Sequence, residues 1–337
     1  MSVSLPPVRR AVLKHRFYPE DRATYPIVWR EEESFEGERI QAMVAILKTR
    51  GCAWDLAGGC TMCSYTNQSH RGKFDQADLE AQVDRLAANY QGEKVVKIYT
   101  SGSFLDEREV PKAVRDIVLA KVGAAKKLIV EARADVTPEH VLEDLAAQAP
   151  QTEIALGLES ASQTILDESV NKGGRVEDFV DAAKRIHARG LRVKAYVMLK
   201  PPFLSERMAL ADAASTLEFA APHSDTLSLN PVNIHKGSLV ERLFYRGEYR
   251  PPWIWSVWEA ISGRPKGKLT ICSTVAFGKR RGAHNCGKCD GELTKALKEF
   301  NFRQELPAAP PVECVCREAW RETLAYEGIL GGAPLRR

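Results

Sequence analysis

The sequence has no long hydrophobic run. Its apolar stretches are short, such as residues 42–47 and 128–130, and none approaches the roughly 20 consecutive apolar residues that a membrane-spanning helix needs. The first ten residues, MSVSLPPVRR, also lack the apolar segment of a secretory signal. These absences predict a cytoplasmic protein without a membrane span. Its 337 residues, 44% of them hydrophobic, are enough for a sizeable core.

The chain also lacks a large net charge, and a formal charge of +4 excludes few partners by itself. The charge is unevenly distributed, because residues 236–290 contain 11 Lys or Arg and 4 Asp or Glu, giving +7 there and −3 elsewhere. Such a segment favours contact with a phosphate backbone, although its run Lys279-Arg280-Arg281 could equally be a solvated loop. Three tryptophans in it are predicted to pack in the core, with base stacking as the alternative: Trp253, Trp255 and Trp258.

Between residues 41 and 230, short β-type runs alternate with amphipathic helical patterns, which indicates repeated βα units in a domain of residues 41–235. Six strands are predicted, at 42–48, 94–100, 127–133, 153–158, 192–199 and 225–229. Six units are too few for a complete eight-fold barrel, so we predict an α/β fold, a partial (β/α)6 TIM-like barrel with its site at the carboxyl ends of the strands. Residues 1–40 are predicted to be an N-terminal extension, and 236–337 a small basic, Cys-rich C-terminal module.

Seven of the eight cysteines fall into two tight groups, and in a reducing compartment such spacing favours metal binding over disulfides. The first group is Cys52, Cys60 and Cys63, spaced C-x7-C-x2-C on a Gly-rich segment after the first predicted strand. Three thiolates can hold a 4Fe-4S cluster and leave its fourth iron without a protein ligand, which is a place for substrate chemistry. A structural zinc site completed by His70 is the alternative.

The second group supplies four thiols in a C-x2-C and a C-x-C pair: Cys286, Cys289, Cys314 and Cys316. Four thiolates close a tetrahedral zinc site, so structural zinc is the first interpretation. An auxiliary iron–sulfur cluster is the second, because thiolates suit both metals. Cysteines without metal, or a site that uses Cys272 or His284 instead, are also open.

At residues 50–65 the chain resembles the radical SAM superfamily. It departs from the commonest C-x3-C-x2-C pattern by its longer first gap and by Met62 in place of an aromatic residue. An enlarged gap is also typical of the elongator catalytic subunit and its relatives. The resemblance implies that S-adenosylmethionine (SAM) chelates the fourth iron. Electron transfer from the cluster then cleaves SAM, and the resulting 5′-deoxyadenosyl radical removes hydrogen from the substrate.

The same resemblance implies roles for polar residues at the predicted strand ends. Six residues are expected to bind SAM, although an ordinary turn or a structural ion pair would also explain some of them: Ser101, Gly102, Ser103, Glu131, Arg133 and Glu159. The ends of the fifth and sixth strands are expected to face the substrate, with Lys200 and Asn233 as candidate catalytic residues.

Four segments together resemble the archaeosine-biosynthesis radical SAM protein (RaSEA) family, over about residues 30–318: 51–63, 99–106, 200–206 and 281–290. The resemblance implies that the enzyme cleaves the carbon–nitrogen bond of the lysine adduct of 7-cyano-7-deazaguanine in tRNA, giving archaeosine. Implied partners are tRNA, a lysine-adding archaeosine synthase and a ferredoxin- or flavodoxin-like electron donor. The alternatives are an elongator-like enzyme acting on another RNA or on 7-deazaguanine DNA, and a non-catalytic metal-cluster protein that binds RNA.

Overall fold

Eight strands form one sheet in chain order, in a computed structural model that describes residues 6–15, 23–73 and 75–329. β1 and β2 pair antiparallel, and every later neighbour is parallel. The strands are β1 Ile27–Phe35, β2 Glu38–Ile46, β3 Val95–Tyr99, β4 Lys127–Ala132, β5 Thr152–Glu159, β6 Arg192–Leu199, β7 Thr226–Pro231 and β8 Leu269–Cys272. The parallel strands curl into a half-barrel of the kind predicted, with two strands beyond the six.

The described helices are α1 Pro7–His15, α2 Ala53–Leu56, α3 Gln76–Asn89, α4 Lys112–Val122, α5 Glu139–Gln148, α6 Gln163–Ile165, α7 Val176–His187, α8 Glu206–Ala220, α9 Leu239–Tyr245, α10 Ile254–Ser262, α11 Asp290–Arg303 and α12 Cys316–Tyr326. Of these, α7, α8 and α11 pack directly against strands of the sheet. Short polar residues start four of the described helices by accepting a backbone N–H of the first turn: Asp75, Ser162, Ser205 and Ser238. In the part of the chain that the structure describes, none of the helices is long and apolar enough to cross a membrane.

The sheet has two faces of different character. Side chains facing the helices, such as Val96, Val130 and Leu156, belong to the main apolar core. The inner face carries a small apolar layer, which includes Val95 and Ile129, and otherwise many polar groups. Because strand side chains alternate between the faces, each strand contributes to both the core and the lumen.

β1 was missed by the sequence analysis because its text, IVWREEESF, contains four consecutive charged residues. Two of these glutamates lie by the lumen, where Glu31 and Glu33 both pair with Lys97 of β3. The turn to β2 has positive φ at Glu36 and Gly37, which is the geometry of a two-residue hairpin turn. The Glu36-Gly37 pair could therefore have indicated a hairpin within residues 1–40, which the sequence predicts to be an extension.

The compositional boundary predicted at residue 235 does not coincide with a break in the sheet or the core. β8 pairs in parallel with β7, so the later segment continues the barrel. Trp253, Trp255 and Trp258 are buried in the core that also packs the barrel helices, which agrees with the packing interpretation of these residues. The short strand β8 carries only four residues, too few for a clear pattern.

Candidate functional site

The first three cysteines lie on the long loop that follows β2, at the carboxyl end of the barrel. Backbone contacts fix this loop to the segment after β5: Thr61 N–H donates to Val170 O (2.9 Å), and the Asn171 side chain donates to Gly59 O (2.6 Å). The Trp54 indole N–H donates to Asn171 O (2.8 Å). The loop is thus held at both ends of its Gly-rich turn without help from a bound group.

Burial dominates the chemistry of these thiols. It raises the pKa of Cys52, while the Arg133 guanidinium, 3.6 Å from the Cys52 Sγ, acts in the opposite direction. Burial raises the pKa of Cys60 to about 12, against the attraction of Lys172, and raises that of Cys63 well above its usual range. Cys60 feels the charge of Cys52, and Cys63 feels the charges of both, so the three are neighbours. Thiolates here need metal to compensate their burial.

The donor set fits a 4Fe-4S cluster better than a zinc ion. His70, the candidate fourth zinc ligand, instead contacts the Asp78 carboxylate at 3.0 Å. Among the described residues, only the C-terminal cysteines form a set of three or more ligand atoms within 4.8 Å of one another. Within the described ranges, the first three thiols have no fourth protein ligand at hand, which suits a cluster with an open iron better than a closed zinc site.

The turn after β3 lies directly against the cysteine loop. A Cβ on Gly102 would come within 2.7 Å of the Cys52 Cα and 2.2 Å of the Glu109 Oε1, so only glycine fits. Buried Glu109 accepts hydrogen bonds from Ser103 N–H (3.1 Å) and Thr49 Oγ1–H (3.1 Å). Burial raises the pKa of Glu109 to about 7. Sequence reasoning missed this carboxylate, which lies several residues beyond the strand end and has no motif of its own.

Two predicted glutamates face the lumen above its apolar layer. The Tyr196 hydroxyl donates to Glu131 Oε1 (2.9 Å), and burial raises the pKa of Glu131 to about 7. Lys172 pairs with Glu159 (2.7 Å), whose backbone has a positive φ of 68°. Burial raises the pKa of Tyr65, and the charges of both glutamates add to this effect, so Tyr65 lies near them. Tyr65 is nevertheless 47% exposed. These groups form the polar part of the lumen beside the cysteine loop.

Lys200 does not face this cavity. Its ammonium is buried, pairs with Glu206 and lies 3.6 Å from Glu327 near the carboxyl end of the chain. The predicted substrate contact is therefore corrected: a lysine at a strand end does not reveal partners from distant helices. Asn233 fits the expectation better, because its Oδ1 is buried with no hydrogen-bond partner in the described ranges. An orphaned acceptor at the barrel mouth suits a ligand.

The second group of cysteines converges between the starts of α11 and α12. All four Sγ atoms lie within 4.8 Å of one another, and two pairs are 3.5 Å apart, Cys286 with Cys314 and Cys289 with Cys316. His284 Nδ1 contacts Gly282 O (2.8 Å) and Cys272 lies in β8, so neither belongs to this set. The four thiols can bind one metal ion that ties the two helices together.

Comparison with known proteins shows the family of this chain. The family model described as "Radical SAM superfamily" matches residues 46–214. The chain is 38% identical to "Archaeosine synthase subunit beta" of Methanosarcina acetivorans, over 91% of this chain and 92% of that protein. It is 35% identical to the protein of the same name from Thermococcus kodakarensis, over 90% and 97%. The crystal structure of methylornithine synthase (PylB) is similar in fold alone, with 12% identity and a TM-score of 0.50 over 98% of this chain and 87% of that one.

Proposed function

Because this chain belongs to the radical SAM superfamily and, within it, to the family of archaeosine synthase subunit beta, we infer that it is a radical SAM enzyme of archaeosine biosynthesis that modifies tRNA. The observation that carries the inference is the set of Cys52, Cys60 and Cys63 beside a polar lumen. Three thiols without a fourth protein ligand among the described residues suit a 4Fe-4S cluster with an open iron.

The finer proposal concerns the reaction. The substrate is tRNA whose 7-cyano-7-deazaguanine carries lysine through its side-chain amine. When bound, the cluster and SAM supply a radical that removes a hydrogen from the lysine side chain. The carbon–nitrogen bond one carbon away from the radical then breaks, which leaves the lysine fragment as an alkene and the unpaired electron on the nitrogen. One electron from the reductant and one proton complete the amidine of archaeosine on the base. The burial of Cys63 and Glu131 supports this chemistry, because a reactive intermediate must be kept from water.

The residues of the chain supply binding and orientation. We assign SAM binding to the turn of Ser101, Gly102 and Ser103, which Glu109 holds against the cysteine loop. Three further side chains are assigned to the same ligand, because they lie by the cysteines or the lumen: Glu131, Arg133 and Glu159. Asn233, with its unpaired Oδ1, is assigned to the substrate.

A labelled substrate tests the proposal. With tRNA carrying the lysine adduct, SAM and a strong reductant, archaeosine and 5′-deoxyadenosine should form together. Deuterium placed on the lysine side chain should appear in the 5′-deoxyadenosine, measured by mass spectrometry. If SAM is cleaved under every reducing condition while the adduct stays intact, the superfamily assignment stands and the archaeosine reaction is refuted, which leaves an elongator-like enzyme with a different substrate.

Zinc is our assignment for the second metal site. A Zn–S bond of about 2.3 Å places the sulfurs of a tetrahedral site about 3.8 Å apart, close to the 3.5 Å of the Cys286–Cys314 and Cys289–Cys316 pairs. A four-iron cluster must spread its ligands more widely. In a variant with Cys52, Cys60 and Cys63 replaced by Ala, metal analysis should find one zinc per chain. Four irons would instead identify an auxiliary cluster, and no metal would refute both.

Two protein partners follow from this function. A lysine-adding archaeosine synthase must make the adduct before this enzyme can cleave it, and the name of the relatives implies a second subunit. Reduction of the cluster requires an electron donor, for which we propose a ferredoxin- or flavodoxin-like protein. We expect all of them to meet in the cytoplasm.

A further inference from the structure

A strip of exposed cations lies beside the barrel mouth, and we name it the basic strip. It is formed by three segments, 7–15, 236–248 and 279–281, which together contain nine Lys or Arg and two Glu. Its exposed cations are Arg10, Lys14, Lys236, Arg242, Arg246, Lys279 and Arg280. Both glutamates are already engaged: Glu241 pairs with Arg281 (2.7 Å) and Glu248 with Arg246 (2.7 Å).

The segments of the basic strip meet around α9. Helix α1 packs against α9, and burial together with the positive charges of Arg242, Lys14 and Arg246 lowers the pKa of His15. These cations therefore lie close enough to repel one another. Within the ranges that the structure describes, no carboxylate lies within ion-pair distance of Arg242 or Arg280. Mutual repulsion of this kind is relieved when a polyanion binds.

Aromatic rings lie among these cations. Tyr245 is 69% exposed, and its ring centroid is 5.5 Å from that of Phe244. The Arg280 guanidinium lies 5.1 Å from the Phe244 ring. Arg281 donates hydrogen bonds to Tyr245 Oη (3.1 Å), to Ile234 O (2.9 Å) and to Glu241. These contacts position the ring of Tyr245.

The strip is continuous with the cysteine loop. Val240 N–H of α9 donates to Thr61 O (3.1 Å), between Cys60 and Cys63. The Asn67 side chain donates to Lys236 O (3.0 Å), and the rings of Tyr65 and His235 meet at 5.1 Å. A chain lying on the strip can therefore present one group directly to the polar lumen.

We propose that the basic strip is the surface that binds the RNA substrate, with its exposed cations on phosphates and Tyr245 as a platform on which a base stacks. The inference rests on the proposed function, because it takes RNA as the substrate. Cations interleaved with exposed aromatic rings are what single-stranded nucleic acid needs, since every base offers a face for stacking. An acidic electron-transfer protein could pair with the exposed cations, but it offers no base to stack on the ring of Tyr245.

Binding of a tRNA transcript by the cluster-loaded protein tests this surface directly. Replacing Arg242 and Arg280 together by Ala should weaken binding and flatten the plot of log affinity against log salt by about two units, one for each phosphate that is no longer neutralised. Tyr245→Ala should weaken binding about fivefold to a hundredfold with little change of slope, and Tyr245→Phe should restore it. The matched control removes two exposed cations at the opposite end of the barrel, Lys184→Ala with Arg192→Ala, and should not change binding. Iron content and melting temperature verify that each variant is folded.

The outcomes separate this inference from the proposed function. Unchanged affinity and slope in the Arg242/Arg280 variant would overturn the RNA surface even if archaeosine forms normally. A variant that keeps its RNA affinity but is reduced more slowly by an acidic electron donor would overturn it too, and would assign the strip to that protein. If the strip variants lose tRNA affinity as expected while no archaeosine forms, the surface stands and the proposed reaction fails.

Discussion

Buried Glu153 at one end of the barrel lumen has charged partners that, among the described residues, Glu109 and Glu131 at the other end lack. At the amino-terminal end of the strands, Glu153 pairs with Lys127 (2.9 Å) and lies 3.3 Å from Lys194. Burial opposes the ionisation of Glu153, but the two ammonium groups outweigh it and hold its pKa at about 2. At the mouth, Glu109 and Glu131 have only uncharged hydrogen-bond donors, and burial raises both pKa values to about 7.

The difference shows which charges serve the fold and which wait for a ligand. A fully paired buried carboxylate is satisfied within the chain, and removing one partner leaves an uncompensated charge. A buried carboxylate without a cation lowers the stability of the free protein, and a positively charged ligand would offset that cost. We therefore regard the charges at the amino-terminal end of the strands as structural, and the mouth as the place where SAM and substrate are held.

The first test removes the cluster ligands at the mouth and has the largest expected effect. Replacing Cys52, Cys60 and Cys63 by Ala should remove the iron–sulfur absorption and abolish SAM cleavage, while the backbone contacts of the loop keep the chain folded. Iron content and 5′-deoxyadenosine are the measurements. Cys272→Ala, at a buried cysteine outside both groups, is the control and should keep its iron. Full iron content in the triple variant would contradict the assignment.

The second test breaks the paired end. Glu153→Gln leaves Lys127 and Lys194 without their shared counter-charge, so we expect the free energy of unfolding to fall by about 3–5 kcal/mol. Cluster content and SAM binding should persist in the folded fraction. Glu318→Gln breaks an exposed pair with Arg321 and should cost about 0–1 kcal/mol. Equal losses in the two variants, measured by denaturant unfolding under anaerobic conditions, would show that the buried network is not special.

The contrast between the ends also shows how far sequence reasoning reaches. Short β-type runs predicted six of the strands, and helical patterns predicted the helices between them, because each pattern reflects which residues face the core. The cysteine groups were evident because their spacing is local. Lys200 was assigned wrongly, and Glu109 was missed, because their surroundings depend on contacts across the fold. Glu327, which lies near Lys200 in space, follows α12 far along the chain, and no local pattern connects the two.

The third test concerns how the free energy of unfolding depends on pH through Glu131, which has an uncharged hydrogen-bond partner. Glu131 has its pKa raised from 4.5 to about 7, so the folded state holds this proton more tightly than the unfolded state does. Wild-type stability is therefore lost as the pH rises from about 4.5 to 7. Glu131→Gln does not titrate, and should be more stable than wild type by about 1–3 kcal/mol at pH 8. The gain should vanish below pH 4.5, and a gain independent of pH would contradict the interpretation.

The smallest effect is expected at Asn233, whose side-chain oxygen has no partner within the described part of the chain. Its Oδ1 is buried without a hydrogen-bond partner among the residues described, so Asn233→Ala removes no hydrogen bond of that atom in the free protein and should change the unfolding free energy little. A neutral hydrogen bond to the substrate is worth about 0.5–1.5 kcal/mol, so archaeosine formation should slow by up to about tenfold while SAM cleavage without tRNA is retained. Lys200→Ala should do the reverse, because it breaks the buried pair with Glu206 and lowers stability before it alters selectivity. If Asn233→Ala slows both products in parallel, this side chain acts on SAM rather than on the substrate.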